Sequence, residues 1–345
     1  MGQRPLGLRL GACQPRSNVK HFKNFARNLT RCGSVAVLLA AAGAAFAQPY
    51  PNRVVKLVSQ FPPGGGTDLV ARIVAPELEK LLGQSVIVEN KVGAAGNIGA
   101  EFVAKSAPDG YTILVANNTI VTNPSLQKTP FDVTKDFAPI TVVGATAIAL
   151  AVHPSVPAKS VKELIEMVKK DPAKFSYSSC GNGTAMHLAG ELFKQVAGIS
   201  MVHIPYKGCG PAIIDGISGQ VPILFNTITN TSPQAKGGKL RILAIASATR
   251  SPVDEQIPTI AEAGFAGFDA DIWFGFLAPA NTPRDIVIKL NDAVSKVVAM
   301  PEVQAKMKAQ LFSSRASTPD DFAKVIQSDL SKWSKLVKEA KIQAE

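Results

Sequence analysis

The first 47 residues contain no aspartate or glutamate, although they hold seven of the chain's 37 lysines and arginines. Beyond them 30 basic residues face 26 acidic ones, so most of the +11 net charge of this 345-residue chain sits at its start. What remains offers no argument for a nucleic-acid or anionic-membrane partner. Cysteine is scarce: of four, only Cys180 and Cys209 lie beyond residue 47, too few for a disulfide scaffold, and no Cys-x-x-Cys occurs. The four histidines, His21, His153, His187 and His203, lack metal-ligand spacing. His-Glu-x-x-His, Gly-x-Ser-x-Gly and Walker A motifs are all missing, so no metal, cofactor or catalytic set is expected. Long hydrophobic runs are missing too. The longest uncharged stretch after the N-terminus, Ala138 to Val152, contains Pro139 and Gly144 and reads as two β-segments rather than a membrane helix. A hydrophobic content of 46% with 18% charged residues excludes a disordered chain, and the length suffices for two domains.

What is present at the N-terminus is a cationic stretch, a short apolar segment from Ser34 to Ala45, and Ala45-Phe46-Ala47 before Gln48. This is the layout of a secretory signal peptide over residues 1–47, with cleavage expected after Ala47 and export to the periplasm. The apolar segment is too short to span a bilayer, which takes about 20 residues.

From Arg53 onward, short β-branched runs alternate with helical stretches, which argues α/β architecture with largely parallel sheets. Strands are expected at Val54–Val58, Val86–Val88 and Tyr111–Ala116, with helices over Leu69–Leu82 and Ala100–Ser106 between them. A second cycle opens at the Ser160-Val161-Lys162-Glu163 capping box. Strands follow at Phe175–Ser179, Met201–Tyr206, Val221–Asn226 and Leu240–Ala246, with helices over Ala185–Ala197 and Ala212–Ile217. Two helix starts, Thr282-Pro283 and Thr318-Pro319, each place an N-cap before a proline at the first helical position. In the last helix Phe322, Val325, Ile326, Trp333, Leu336 and Val337 share one face, which needs a partner in the first domain. The expected organisation is one discontinuous lobe, residues 48–152 plus 270–345, and a second lobe, 153–269. The chain would cross between them near Leu150–Pro154 and Gly264–Asp271, forming a hinge.

Open α/β sheets place ligands in the loops beyond strand C-termini. The first such loop, Phe61-Pro62-Pro63-Gly64-Gly65-Gly66-Thr67-Asp68, runs straight into a helix. Its glycines let main-chain N–H groups converge, and the helix N-terminus adds roughly half a positive charge, making an anion cradle. Gly93-Ala94-Ala95-Gly96-Asn97-Ile98-Gly99 lacks the dinucleotide and P-loop spacings and reads either as a tight packing turn or as a binding loop. Ser178-Ser179-Cys180-Gly181-Asn182-Gly183-Thr184 reads as a second anion loop or as a capped turn, and Lys207 after Tyr206 either meets an anion or is solvated. Neighbouring parallel strands would bring the loops of Cys180 and Cys209 together, so an exported chain is expected to join them. The rival reading is a reactive thiol activated by His187.

At these loops the chain resembles the Bug-type extracytoplasmic solute receptors of tripartite tricarboxylate transporters. The resemblance runs through Phe61–Asp68, Glu89–Gly99 (ENKVGAAGNIG), Ala107–Tyr111 (APDGY), Cys180–Thr184 (CGNGT), His187–Phe193 (HLAGELF), His203–Gly208 (HIPYKG), Pro258–Gly264 (PTIAEAG) and Trp273–Pro279 (WFGFLAP). It implies a two-lobed, type II periplasmic-binding-protein fold that closes on a small carboxylate and serves a permease of one small and one large subunit. By position, the ligand would meet Phe61, Gly64, Gly65, Gly66 and Thr67 of one lobe and Ser179, Gly183, Thr184 and His187 of the other. Asn118, Thr119, Tyr206 and Asn226 would add hydrogen bonds. Asn226 stands where many relatives have aspartate, which weakens the case for a ligand bearing an ammonium group. The function expected is therefore a monomeric carboxylate receptor without cofactor. A sensory receptor for the same ligands, or an exported hydrolase using Cys180 or Ser179 with His187, are the alternatives.

Overall fold

A computed structural model describes Gly2 and residues 50–342; the expected leader and its cleavage site lie outside the described residues. In chain order the strands are β1 (Val55–Ser59), β2 (Val86–Asn90), β3 (Thr112–Asn117), β4 (Phe137–Thr146), β5 (Ile148–Val152), β6 (Ser176–Ser179), β7 (Val202–Pro205), β8 (Ile223–Thr227), β9 (Arg241–Ile245), β10 (Ile272–Pro279) and β11 (Ser313–Ser314). The helices are α1 (Gly66–Leu82), α2 (Asn97–Ala104), α3 (Thr119–Leu126), α4 (Val161–Lys170), α5 (Ala185–Ala197), α6 (Cys209–Ser218), α7 (Ile228–Lys236), α8 (Arg284–Val298), α9 (Pro301–Ala309) and α10 (Pro319–Glu339).

Two mixed sheets carry the fold, in the orders β11-β4-β10-β3-β1-β2 and β7-β6-β8-β5-β9. In each, three strands run parallel: β1 beside β2 and β3, and β6 beside β7 and β8. Antiparallel strands complete both sheets, β10 against β3 and β4 in the first and β5 against β8 and β9 in the second. The architecture is thus α/β, with parallel strands feeding helices as the β-branched runs imply. One expected boundary moves. Ile148–Val152 pairs within the second sheet, so the chain first passes between sheets at Ala147, ahead of the crossing expected near Leu150–Pro154. The return lies between β9 and β10.

Helix starts follow their local chemistry. The Ser160 hydroxyl accepts from the Glu163 N–H, while the Glu163 carboxylate accepts from the Lys159 N–H at 2.8 Å, one residue further back than in a reciprocal capping box. Thr318 caps α10 by accepting from the Asp321 N–H. The expected cap at Thr282 does not form. Its hydroxyl donates to the Pro279 carbonyl at 2.7 Å, and α8 begins after Pro283 with no side-chain cap. Along α10, Phe322, Ile326, Trp333, Leu336 and Val337 are buried, and the helix lies on β4 and α3 of the first sheet's side. Phe322 meets the edge of Trp273 from β10 with ring centroids 5.1 Å apart, and a Cβ added at Gly275 would lie 2.3 Å from the Phe322 ring. Glycine is needed there for this helix to seat.

Candidate functional site

Every parallel strand except β2 ends at one cleft of about 420 Å³. Beyond β1, β3, β6, β7 and β8 the chain turns within a few residues into α1, α3, α5, α6 and α7, and each of these five helices places first-turn or cap residues on the cleft lining. A helix leaves its first N–H groups without intrahelical acceptors and carries roughly +0.5 charge at that end. Gly66, Ala185, Met186, Cys209 and Thr229, all in first turns, are on the lining. Among the described residues no Lys, Arg, His, Asp or Glu lines this cleft. The charge character of the cleft is therefore set by helix dipoles rather than by ionised side chains.

On the first wall, the loop from Phe61 to Gly65 is pinned from behind. Asp68, buried in the first turn of α1, accepts from the Gly64 N–H at 2.9 Å, from Arg72 Nε and from Asn90 Nδ2. Asn90 also donates to the Phe61 carbonyl. Burial pushes the Asp68 carboxyl up, but these hydrogen bonds and the Arg72 charge together hold it below its ordinary value. Gly64 sits at φ 82°, where glycine is favoured. A Cβ on Gly66 would lie 2.6 Å from the Phe274 ring, so helix and strand approach closely only because this residue is glycine.

On the second wall, Cys180 and Cys209 form a disulfide, joining the loops after the adjacent strands β6 and β7 as the sequence leads one to expect. Gly208 donates its N–H to the Cys180 carbonyl. Thr184 caps α5, accepting from the His187 N–H and donating to the Gly181 carbonyl at 2.7 Å. The Gly183 N–H donates to His187 Nδ1, so the neutral ring carries its proton on Nε2. His187 stacks on His203 with centroids 3.9 Å apart. Burial, with Lys194 nearby, pulls His187 down to about 4; burial, with His187 adjacent, pulls His203 down to about 3. Both imidazoles are neutral at physiological pH.

Of the expected contacts, Phe61, Gly64, Gly65, Gly66, Asn118, Thr119 and Thr184 line the cleft. Six others are not on its lining. The Thr67 hydroxyl is buried against Ser59 Oγ at 2.8 Å. Ser179 Oγ shares a 2.7 Å hydrogen bond with His203 Nε2 and is fully buried. Gly183 and His187 make the supporting bond already described. The Tyr206 hydroxyl donates to Asp215, and burial, with Asp215 close by, pushes it up to about 12. Asn226 is fully buried, donating to the Cys209 carbonyl and accepting from the Thr227 N–H, so it positions α6 and α7. Thr67, Ser179, His187 and Asn226 are buried and support the loops through these bonds. Sequence reading missed Leu69, Met186, Ile272, Phe274 and Phe312, which form the apolar lining. The Gly93–Gly99 loop packs: a Cβ at Gly99 would lie 2.8 Å from the Lys91 carbonyl, and none of its residues lines the cleft.

Residues 70–342 match the model of the tripartite tricarboxylate transporter family receptor. The chain belongs to this family. It is 34% identical to Protein BugT of Bordetella pertussis over 90% of this chain and 98% of that one. Among solved structures it resembles Rpa4515 of R. palustris with adipate (33% identity, TM-score 0.76, covering 85% and 99% of the two chains). It also resembles MatC from Rhodopseudomonas palustris with bound malate (31% identity, TM-score 0.72, covering 84% and 100%). The family and these relatives are solute-binding receptors, not enzymes. The geometry of this family member agrees, since Cys180 is engaged in a disulfide and Ser179 is sealed beneath the cleft.

Proposed function

We propose that this chain is an exported, monomeric receptor of the periplasm that captures a small carboxylate between its two sheets and delivers it to a permease of one small and one large membrane subunit. The observation that carries the reading is the convergence of five helix N-termini on a cleft with no charged side chain among its described lining residues. Such a site suits a carboxylate, whose oxygens accept from main-chain N–H groups. The Gly65–Gly66 turn would meet the ligand from one side and Thr184, Ala185 and Cys209 from the other. Ala147 and the β9–β10 connection would serve as the hinge, and residues 1–47 would be removed on export. The carboxylates bound by Rpa4515 and MatC support the ligand class.

A thermal-shift panel of mono-, di- and tricarboxylates tests this directly. A ligand at a hundred times its Kd stabilises by about 2.7 kcal/mol, and at least one carboxylate should do so without being turned over. A panel in which none moves the melting curve, or in which a hit is chemically converted, refutes the reading.

A further inference from the structure

We propose that the cleft selects carboxylates with an apolar body, aromatic or unbranched aliphatic, over hydroxylated di- and tricarboxylates. This rests on the carboxylate reading above and narrows it. The two ligand-bearing relatives hold one acid of each kind, adipate and malate, at nearly equal identity to this chain, so likeness alone does not choose between them.

The lining chooses. Between the helix ends, Phe61, Leu69, Met186, Ile272, Phe274 and Phe312 supply the large side chains of the lining, all of them apolar. Phe274 and Phe312 lie together with ring centroids 5.2 Å apart, joining β10 to the segment before β11. An apolar ligand body is released from water against this surface, whereas a hydroxyl placed there loses its water and gains no partner.

Of the five threonine hydroxyls on the lining among the described residues, four donate to the protein and the fifth, Thr227 Oγ1, accepts from the Asn230 N–H. Thr119 Oγ1 donates to Asn117 Oδ1 and accepts from Gln60 Nε2, and Thr184 Oγ1 donates to the Gly181 carbonyl. Thr146 and Thr229 donate to the Leu311 and Gln310 carbonyls. One side-chain group on the lining is both buried and unpaired, Oδ1 of Asn118, a residue 1% exposed. Its Nδ2 is committed to the Asp271 carbonyl at 3.1 Å, so Oδ1 can only accept. It repels a third carboxylate and accepts only from a donor placed at that one point of the lining, or meets the positive edge of an aromatic ring. Each further ligand hydroxyl left without a partner lowers affinity by about tenfold or more.

Titration calorimetry of the protein with benzoate, phenylacetate, hexanoate and adipate in one arm and citrate, isocitrate and malate in the other decides the matter. The best ligand of the first arm should bind at least about tenfold tighter than the best of the second. Which member wins identifies an aromatic or an aliphatic body. Leu69→Ser, at a half-buried position on the lining, should weaken the first arm about five- to tenfold and the second arm clearly less, in a protein whose cooperative melting transition persists. Equal or tighter binding of citrate, isocitrate or malate overturns the selectivity while leaving the carboxylate reading intact. Failure of both arms overturns that reading and the selectivity with it.

Discussion

On the cleft wall built from the first sheet, the Asp68 carboxylate holds the Gly64 amide and Asn90 holds the Phe61 carbonyl; on the opposite wall, a disulfide and a neutral histidine stack occupy the equivalent supporting positions. Both walls bring first-turn helix residues to the same space. The first is ordered by a charge-assisted network that Arg72 joins from a half-exposed position, and the second by a covalent link and packed rings. The comparison shows that glycine-rich loops of similar appearance in sequence can be preorganised by different physical means. Conditions that loosen one wall should spare the other.

The largest expected effect comes from filling the shared space. Gly66→Leu drives a side chain into Phe274, and overpacking of this kind costs about 1–3 kcal/mol of stability. Carboxylate binding should vanish while a cooperative melting transition persists; retained affinity in calorimetry would show that the first wall is not part of the site. Next is the second wall's staple. The cysteines are separated by 29 positions, and a closed loop of that size contributes about 3–4 kcal/mol in the chain-entropy model. The double variant Cys180→Ser, Cys209→Ser should lose stability of that order in denaturant titrations, with hydrogen exchange accelerated around Gly181–Thr184 and Gly208 but not around Gly64–Thr67. Equal acceleration at both loops would erase the distinction between the walls.

Acid should also act on the second wall. A histidine whose folded pKa lies below its unfolded value contributes stability that is fully present above about pH 6.5 and is lost as pH falls through the folded value. For His187, pulled down to about 4, the loss amounts to about 3 kcal/mol between those limits. The melting temperature should fall over that window in the native protein, and His187→Asn, which keeps an acceptor for the Gly183 N–H, should flatten the slope. An unchanged slope in the variant would remove the histidine stack from the account.

Much of this was legible in the chain. Helix α5 occupies Ala185–Ala197 as its pattern indicates, and the disulfide follows from two cysteines after strands that prove to be neighbours. Less legible was the direction of side chains within the loops. Ser179, His187 and Asn226 are polar residues beside the ligand loops, yet each turns inward to satisfy a main-chain group or a buried partner. Local pattern marks such a loop but not which way its residues face, because that depends on the orphan amides around it. Phe274 and Phe312 reach the cleft only through the placement of β10 between β3 and β4 and of β11 at the sheet edge, a tertiary fact without local signature. The crossing at Ala147 was hidden because β4 and β5 are nearly continuous in sequence and differ only in which sheet they join.

The central claim is that main-chain amides of both walls hold the anion together. Amide-resolved NMR titration of the protein with its best carboxylate tests it most directly. The account expects the Gly66, Ala185, Met186 and Cys209 N–H resonances to show the largest shifts and to saturate along one common curve. Shifts confined to one wall, or dominated by lysine and arginine side chains elsewhere, would contradict it.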